Sequence, residues 1–387
     1  MSPFFFKRMA RSPAKHIGLL LVVLTLSGLI CFLSLYRKKQ EKSMNEAIDS
    51  AEVICVVTNL QGTRSTGLRM GFGAAQAVTL GEYYRLPEFV KDIRMTKELT
   101  LDAPVIGGDI SLLAVTSPKG LEKLDPALGG GVKLFREDFY SSDEPLLIVS
   151  EQVYGRLAGE TALTGVITDP FVNPDLFPDM PGIGRGEAGF TVAGFYYGVG
   201  NEVFMPFDAA MLIVDRISVS RSVDSISFLA KDNRRLDELK EAASEVFAEV
   251  DPEGIRSARR FALTVHDEEL RAAIAAFEQN VRRADWLIPA GLVLSLAAGF
   301  LVGFIITRSE KNTYALARSV GMTRRRLALS AFAEQLILPL FACVITGAAF
   351  LSPLPALAVF ALYALGCVFA VIKAVSVSPT RLLREQE

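Results

Sequence analysis

Four apolar blocks constrain this chain more than anything else in it. They are Ile17–Tyr36, Trp286–Ile306, Leu327–Phe350 and Leu354–Ala374. Each holds roughly 20 residues, which as a helix rise to about 30 Å, the thickness of a bilayer's hydrocarbon core. The mean hydropathy of +0.33 is concentrated in them. They predict four transmembrane helices, one near the N-terminus and three near the C-terminus. A secretory signal competes for the first block, but it would have a shorter apolar core and a small-residue cleavage site. Arg37, Lys38 and Lys39 follow directly instead, so the block reads as an uncleaved span.

The stretch between the second and third blocks, 307–326, reads TRSEKNTYALARSVGMTRRR. It sets Arg308, Lys311, Arg318, Arg324, Arg325 and Arg326 against Glu310. Short loops rich in Lys and Arg stay in the cytoplasm. With four crossings, the N-terminal segment 1–16 and the tail 375–387 then lie inside too, and 37–284 lies outside. Segment 1–16 mixes Phe4–Phe6 with Lys7, Arg8, Arg11 and Lys15, as an interfacial helix or a basic leader would. Within 307–326, Ser309 reads as a cap for a helix with Glu310 in its first turn. Tyr314, Ala317 and Val320 recur at helical spacing, and Gly321 is a natural stop. Two readings stand at this point: a short amphipathic helix that docks on a cytoplasmic partner, and a plain positive-inside loop.

The expected outer domain is bracketed by two helical patterns. Met44, Ala47/Ile48 and Ala51 repeat after the first span, and Leu270, Ile274, Phe277 and Val281 repeat before the second. These read as facing stalk helices, 37–52 and 264–284, each continuous with a span. Thr264 with Asp267 is read as the cap of the second. Between the stalks, strand patterns alternate with short helices. Val53–Thr58, Asp92–Leu101, Ile110–Thr116 and Ser225–Ala230 read as strands, with helices at Pro87–Lys91, Lys119–Leu124 and Arg234–Val250. They give a porter-like lobe of 53–125 and 216–255. A β-rich lobe, 126–215, is inserted in it, with strands at Leu146–Ser150, Ala162–Ile167, Phe190–Tyr197 and Val203–Pro206. The fold class is an α+β membrane protein with a two-lobed extracytoplasmic domain between spans one and two.

Composition excludes several functions. A net charge of −2 gives no footprint for nucleic acid. Two histidines and one cysteine outside the apolar blocks, Cys55, supply neither a zinc site nor a disulfide framework. A membrane-tethered hydrolase would need a nucleophile and base that are not legible here. Gly184-x-Gly186-x-x-Gly189 fits the dinucleotide pattern by letter, but no helix pattern follows it. No phosphate-cradling G-x-x-x-x-G-K-[ST] run occurs, so the chain has no visible ATP site of its own. Asp169, Asp175 and Asp179 lack calcium-loop spacing and read as a solvated turn. Phe171 and Phe177 in the same loop are candidates for touching a substrate or partner. Glu334, beside Gln335, is an intramembrane carboxylate expected to face another helix rather than to carry protons.

The loop, the topology and the tail together resemble the FtsX-like/MacB-type permease family of ABC transporters. R-S-E-K-N-T-Y-A-L-A-R-S-V-G-M-T-R-R-R-L is similar to that family's inner loop of an acidic residue, an x-L-R-x-x-G core and a basic tail. It departs at Ser319 and Val320, where Ala and Leu are usual. Glu334 early in the next span and S-P-T-R-L-L-R-E at 378–385 extend the likeness. The resemblance implies that Glu310–Val320 is a coupling helix seated in a separate ABC ATPase subunit. Glu310, Lys311, Tyr314, Leu316, Arg318, Gly321, Arg324 and Arg325 would be its contact residues. ATP and Mg²⁺ would sit on that subunit, with no cofactor or metal on this chain and no catalytic residue in it. A second permease, identical or related, would complete the complex in the cell membrane. The spans would not be a pore; stiff stalks would carry ATP-driven motion to an outer substrate or accessory protein. A regulator of an outer partner such as a cell-wall hydrolase, and a membrane sensor without ATP, remain the alternatives.

Overall fold

The computed structural model describes residues 13–71, 76, 78–79, 85–106, 108–157, 159–170, 172, 179, 183–217, 222–249, 261–310, 313–314, 317 and 320–375. The chain separates into two compact units, one of Ile48–Leu270 and one of Met1–Ala47 with Arg271–Glu387. Helix α1 (Pro13–Ser50) opens the described chain.

The unit Ile48–Leu270 is α+β. Its strands are β1 (Ile54–Asn59), β2 (Met70–Gly71), β3 (Val90–Ala103), β4 (Gly108–Val115), β5 (Val132–Leu134), β6 (Leu146–Ser150), β7 (Ala162–Thr168), β8 (Arg185–Tyr196), β9 (Val203–Pro206), β10 (Ser222–Val223), β11 (Ser225–Ala230) and β12 (Phe261–Val265). Its helices are α2 (Glu151–Arg156), α3 (Phe207–Ile217) and α4 (Leu236–Glu249). Strands run in the order β12-β1-β11-β3-β4-β9-β6-β8-β5, with β7 pairing β3 and β8, and β10 pairs β2 separately. The ladder crosses the expected boundary between the two lobes without a break. The crossings are at β4, where Leu112–Val115 pairs with Val203–Pro206 of β9, and at β3, where Thr100–Asp102 pairs with β7. The apolar run of β6 is buried at every position, as a strand flanked on both sides should be. It packs with Val115, Leu124, Phe139, Ala193, Tyr196 and Phe204. Helix α4 buries Leu236, Leu239, Ala243, Val246 and Phe247 on one face.

Local chemistry overrides several expected elements. Lys119–Leu124 is a turn rather than a helix, because Asp125 accepts from the Gly120 and Ala127 amides at 2.6 and 2.9 Å and draws the backbone away from helical bonding. Leu86–Phe89 is a 3-10 turn ahead of β3. Thr264 lies in β12, with its hydroxyl 2.9 Å from that of Thr58, so it does not cap the following helix. Gly186 and Gly189 are part of β8. A Cβ at Gly186 would run into the Ile217 side chain, so the glycine there makes room for α3.

The other unit is helical. After α1 it contains α5 (Glu268–Ser309), α6 (Arg324–Ala349) and α7 (Pro353–Val375). Among the described residues these four helices are long and apolar enough to cross a membrane. Spans in lipid pack through small residues that let backbones approach. Here α5 and α7 cross at Gly299 and Gly366. A Cβ at Gly299 would strike the Tyr363 carbonyl, and one at Gly366 would strike the Leu296 carbonyl. α1 meets α5 where Gly291 receives Ile30, and meets α6 where the Thr346 and Ser27 hydroxyls stand 3.0 Å apart.

Gly299→Leu should therefore separate α5 from α7. Overpacking of this kind costs about 1–3 kcal/mol, occasionally more. We expect a clear fall in the melting temperature of the full chain in detergent, whereas Gly18→Leu, with open space around it, leaves the temperature unchanged. Equal stability of the two variants would contradict the crossing.

Candidate functional site

The loop between the second and third apolar helices begins where α5 ends. Ser309 belongs to that helix: its hydroxyl donates back to the Ile306 carbonyl at 2.9 Å and accepts from Lys15 at 3.0 Å. It is not the cap of a following helix. The Tyr314 amide then donates to the Glu310 carbonyl at 3.1 Å, and Thr313, Tyr314 and Ala317 are helical. The turn closes at Gly321, whose φ of +94° lets the Met322 amide reach back to the Ala317 carbonyl at 3.1 Å.

This short segment has two faces. Tyr314 is 9% exposed and packs with Leu327 and Ala331 of α6 and Val371 of α7, with Ala317 and Ala328 beside it. The sequence placed Tyr314 among the docking residues; the structure turns it toward the ends of the spans, which offer the apolar surface a ring needs. Val320 is 82% exposed, and Met322 is exposed next to it. Glu310 is half-buried, and Gly321, Arg325 and Arg326 are exposed. Arg324 starts α6. Lys311, Leu316 and Arg318 lie outside the described residues, as do Phe171 and Phe177. Deeper in the helices Glu334 and Gln335 are both buried. Gln335 donates to the Thr307 hydroxyl at 3.0 Å, and that hydroxyl donates to the Gly303 carbonyl at 2.7 Å.

The second part of the site is where two long helices meet the sheet. At the end of α1, the Asn233 amide donates to the Ile48 and Ala51 carbonyls, both at 2.7 Å. Arg234 pairs with Asp49 and holds its carboxyl below the ordinary range, chiefly through their hydrogen bond. At the start of α5, β12 pairs with β1, the His266 amide donates to the Ile54 carbonyl at 3.0 Å, and Lys240 reaches buried Asp267 at 2.8 Å. Along α5, Leu270 is buried, Ile274, Phe277 and Val281 are half-buried, and the positions between are mostly exposed. Met44 and Ile48 of α1 are half-buried. Arg37 and Asp285 pair at 2.8 Å. Asn233 and Lys240 escaped the sequence reading, because an Asn in a D-N-R-R turn signals only a turn.

A third feature is a buried ionic node. Lys97 of β3, fully buried, lies 3.3 Å from Asp169 and 3.9 Å from Asp224, and donates to Ser222 at 2.9 Å. Asp224 also accepts from the Glu98 amide at 2.7 Å. Asp169, read as part of a solvated turn, is thus a buried ion-pair partner. Burial pushes the Asp224 carboxyl up from its ordinary value, against the Glu98 amide and Lys97, which pull it down. No group of His, Cys, Asp and Glu among the described residues is arranged to hold a metal ion. Burial also raises the Cys55 thiol to about 12, so it is not a nucleophile.

No family model matches the chain, and no curated protein matches it. Among solved structures it is similar to the periplasmic region of MacB from Actinobacillus actinomycetemcomitans, with TM-score 0.32 and 13% identity over 59% of this chain and 94% of that one. It is also similar to the extracellular domain of the noncanonic ABC-type transporter YknZ from Gram-positive bacteria, with TM-score 0.31 and 11% identity over 55% of this chain and 99% of that one.

Lys97→Met removes the cation from the node. Leaving a buried ion pair without one partner costs about 3–5 kcal/mol, read as a lower denaturation midpoint of the full chain at neutral pH. A carboxyl whose pKa is raised in the fold stabilises below its unfolded pKa, and that contribution is lost as pH rises through the raised value. The gap between variant and parent should therefore narrow as pH falls from neutral into the carboxylate range. A gap of constant size would contradict the node's role.

Proposed function

We propose that this chain is the membrane-spanning, permease-type subunit of an ABC transporter. A separate cytoplasmic ATPase docks on its inner loop, and α1 and α5 pass the resulting motion to the α+β unit outside the membrane. One observation carries the reading: a short helical segment anchored inward by Tyr314 and closed at Gly321 presents an 82% exposed Val320 between basic flanks. An exposed valine on an anchored turn is poised for burial by a partner, worth about 1.5–3 kcal/mol. Arg325 and Arg326 surround it with charge, as expected of a loop held inside by the positive-inside rule.

Several features support the mechanical part. α5 is one uninterrupted helix of 42 residues, and α1 is one of 38. The ends of both are tied to the α4 segment of the α+β unit, by Asn233 in the turn before α4 and by Lys240 within it. Stiff helices with fastened ends transmit displacement better than loops do. The Gly299–Gly366 crossing allows close contact at a point where α5 and α7 can pivot. ATP and Mg²⁺ would be held by the ATPase, which must bind one arrangement of the spans better than another for the motion to have direction. A second permease would complete the assembly. Its work is export or extraction of an outer substrate.

Two outcomes test the reading. Val320→Asp should lower co-purification of the ATP-binding-cassette subunit from native membranes by about 10-fold or more, without reducing membrane insertion. Undiminished co-purification would contradict the docking face. Met322→Cys should react with a membrane-permeant maleimide and resist an impermeant one in intact cells. The four native cysteines are buried and should give little background. Labelling from outside would invert the topology.

A further inference from the structure

β5 ends the ladder, and its outer edge has no partner strand among the described residues. The register pairs Val132 with Tyr196, Lys133 with Phe195 and Leu134 with Gly194. The Phe135 amide donates to the Ala193 carbonyl at 2.7 Å, and the Tyr197 amide to the Gly131 carbonyl at 3.0 Å. In an antiparallel pair, residues that bond the neighbour alternate with residues whose N–H and C=O point the other way. Positions 131, 133 and 135 bond β8. Val132 and Leu134 therefore turn their backbone donors and acceptors to the free edge, while their side chains pack on the core beside Tyr196.

The opposite face of this edge carries rings. Phe135 lies 5.4 Å from Tyr154 and 6.0 Å from Phe195, Tyr154 stacks on Phe195 at 5.0 Å, and Phe195 meets Tyr197 edge-on at 5.6 Å. Phe135 is 44% exposed and Tyr197 57%. Lys133 sits over the Phe195 ring at 5.9 Å, exposed, and meets no carboxylate among the described residues. Exposed edges are normally blunted by proline, inward charge or a covering element. This one instead combines open backbone groups, an aromatic floor and one cation.

We propose that the β5 edge is a binding site for an extended peptide segment that carries an acidic residue two positions from an aromatic one, so that both side chains fall on the ring-bearing face, and that adds to the sheet as a further strand. The backbone groups of Val132 and Leu134 supply the ladder bonds, the rings of Phe135, Phe195 and Tyr197 take alternate side chains, and Lys133 takes the carboxylate. The site is short, because Gly129 and Gly131 bound the strand on one side and Arg136, paired with Asp138 and Glu144, on the other. It does not depend on how the inner loop is read.

The test uses the full chain in detergent and a fluorescein-labelled peptide of sequence Thr-Phe-Thr-Glu-Thr-Phe-Thr, whose acid and rings share one face when extended. A second peptide is N-methylated at alternate amides. We expect saturable binding of the first, slower hydrogen exchange over 131–136 when it is bound, and no binding of the second. Phe135→Ser and Lys133→Glu, both surface changes, should each weaken binding by about 10-fold without moving the melting temperature. Equal binding of both peptides, no saturable binding, or unchanged exchange over 131–136 would overturn the proposal. So would binding of a chitin oligosaccharide that displaces the peptide and leaves those amides unprotected, because rings that stack on sugars need no strand edge.

Discussion

Two carbonyls at the end of α1 have one side chain to satisfy them. The last turn of any helix leaves backbone acceptors without intrahelical donors. Here Asn233, in the turn at 232–235 before α4, gives both its amide hydrogens to Ile48 and Ala51. At α5 the equivalent task falls to β12 and to the Lys240–Asp267 pair. Both contacts come from one stretch, the turn at 232–235 and the helix that follows it. A helix whose end is free can move without moving the sheet; these two are fastened, and the proposed mechanism rests on that fastening.

The lipid sets the other boundary condition. Within a bilayer every backbone group must be satisfied internally, so crossing elements are helices and irregular backbone is kept to their ends. The loop between α5 and α6 follows that rule. It closes through Gly321, the Tyr314 ring packs back on the spans, and among its described residues the exposed apolar side chains are Val320 and Met322. Two pairs of buried polar side chains join neighbouring helices, Gln335 with Thr307 and Thr346 with Ser27. The glycines at 299 and 366 allow backbones to touch where bulkier residues would force them apart. Strain-free contact of this sort suits a bundle whose helices shift against one another.

Much of this was legible in the sequence because it depends on periodicity and length. Twenty-residue apolar runs, the half-buried stripe Leu270–Val281, the buried run of β6 and the amphipathic face of α4 each repeat a pattern over many residues. What escaped depends on one side chain reaching another far along the chain. Asn233 meets α1 from 182 and 185 positions away, and Lys97 finds Ser222 across 125. The apparent cap at Thr264 failed because a threonine serves a strand as readily as a helix start. Nor does periodicity show that the strands of 53–125 and of 126–215 share one ladder, which depends on β4 pairing with β9 and β3 with β7. Tyr314 had the right spacing for a docking face, but spacing cannot say which side of a short helix the protein itself covers.

The most direct measurement of the central claim breaks both fastenings together. In the proposed complex of two such chains with an ATPase, spin labels placed on the two α+β units should change separation when nucleotide binds. The double variant Asn233→Ala/Lys240→Met should abolish that change while ATP hydrolysis continues at the parent rate. A distance change that survives in the variant, with the α+β unit still folded, would show that motion reaches the sheet by another route and would contradict the account.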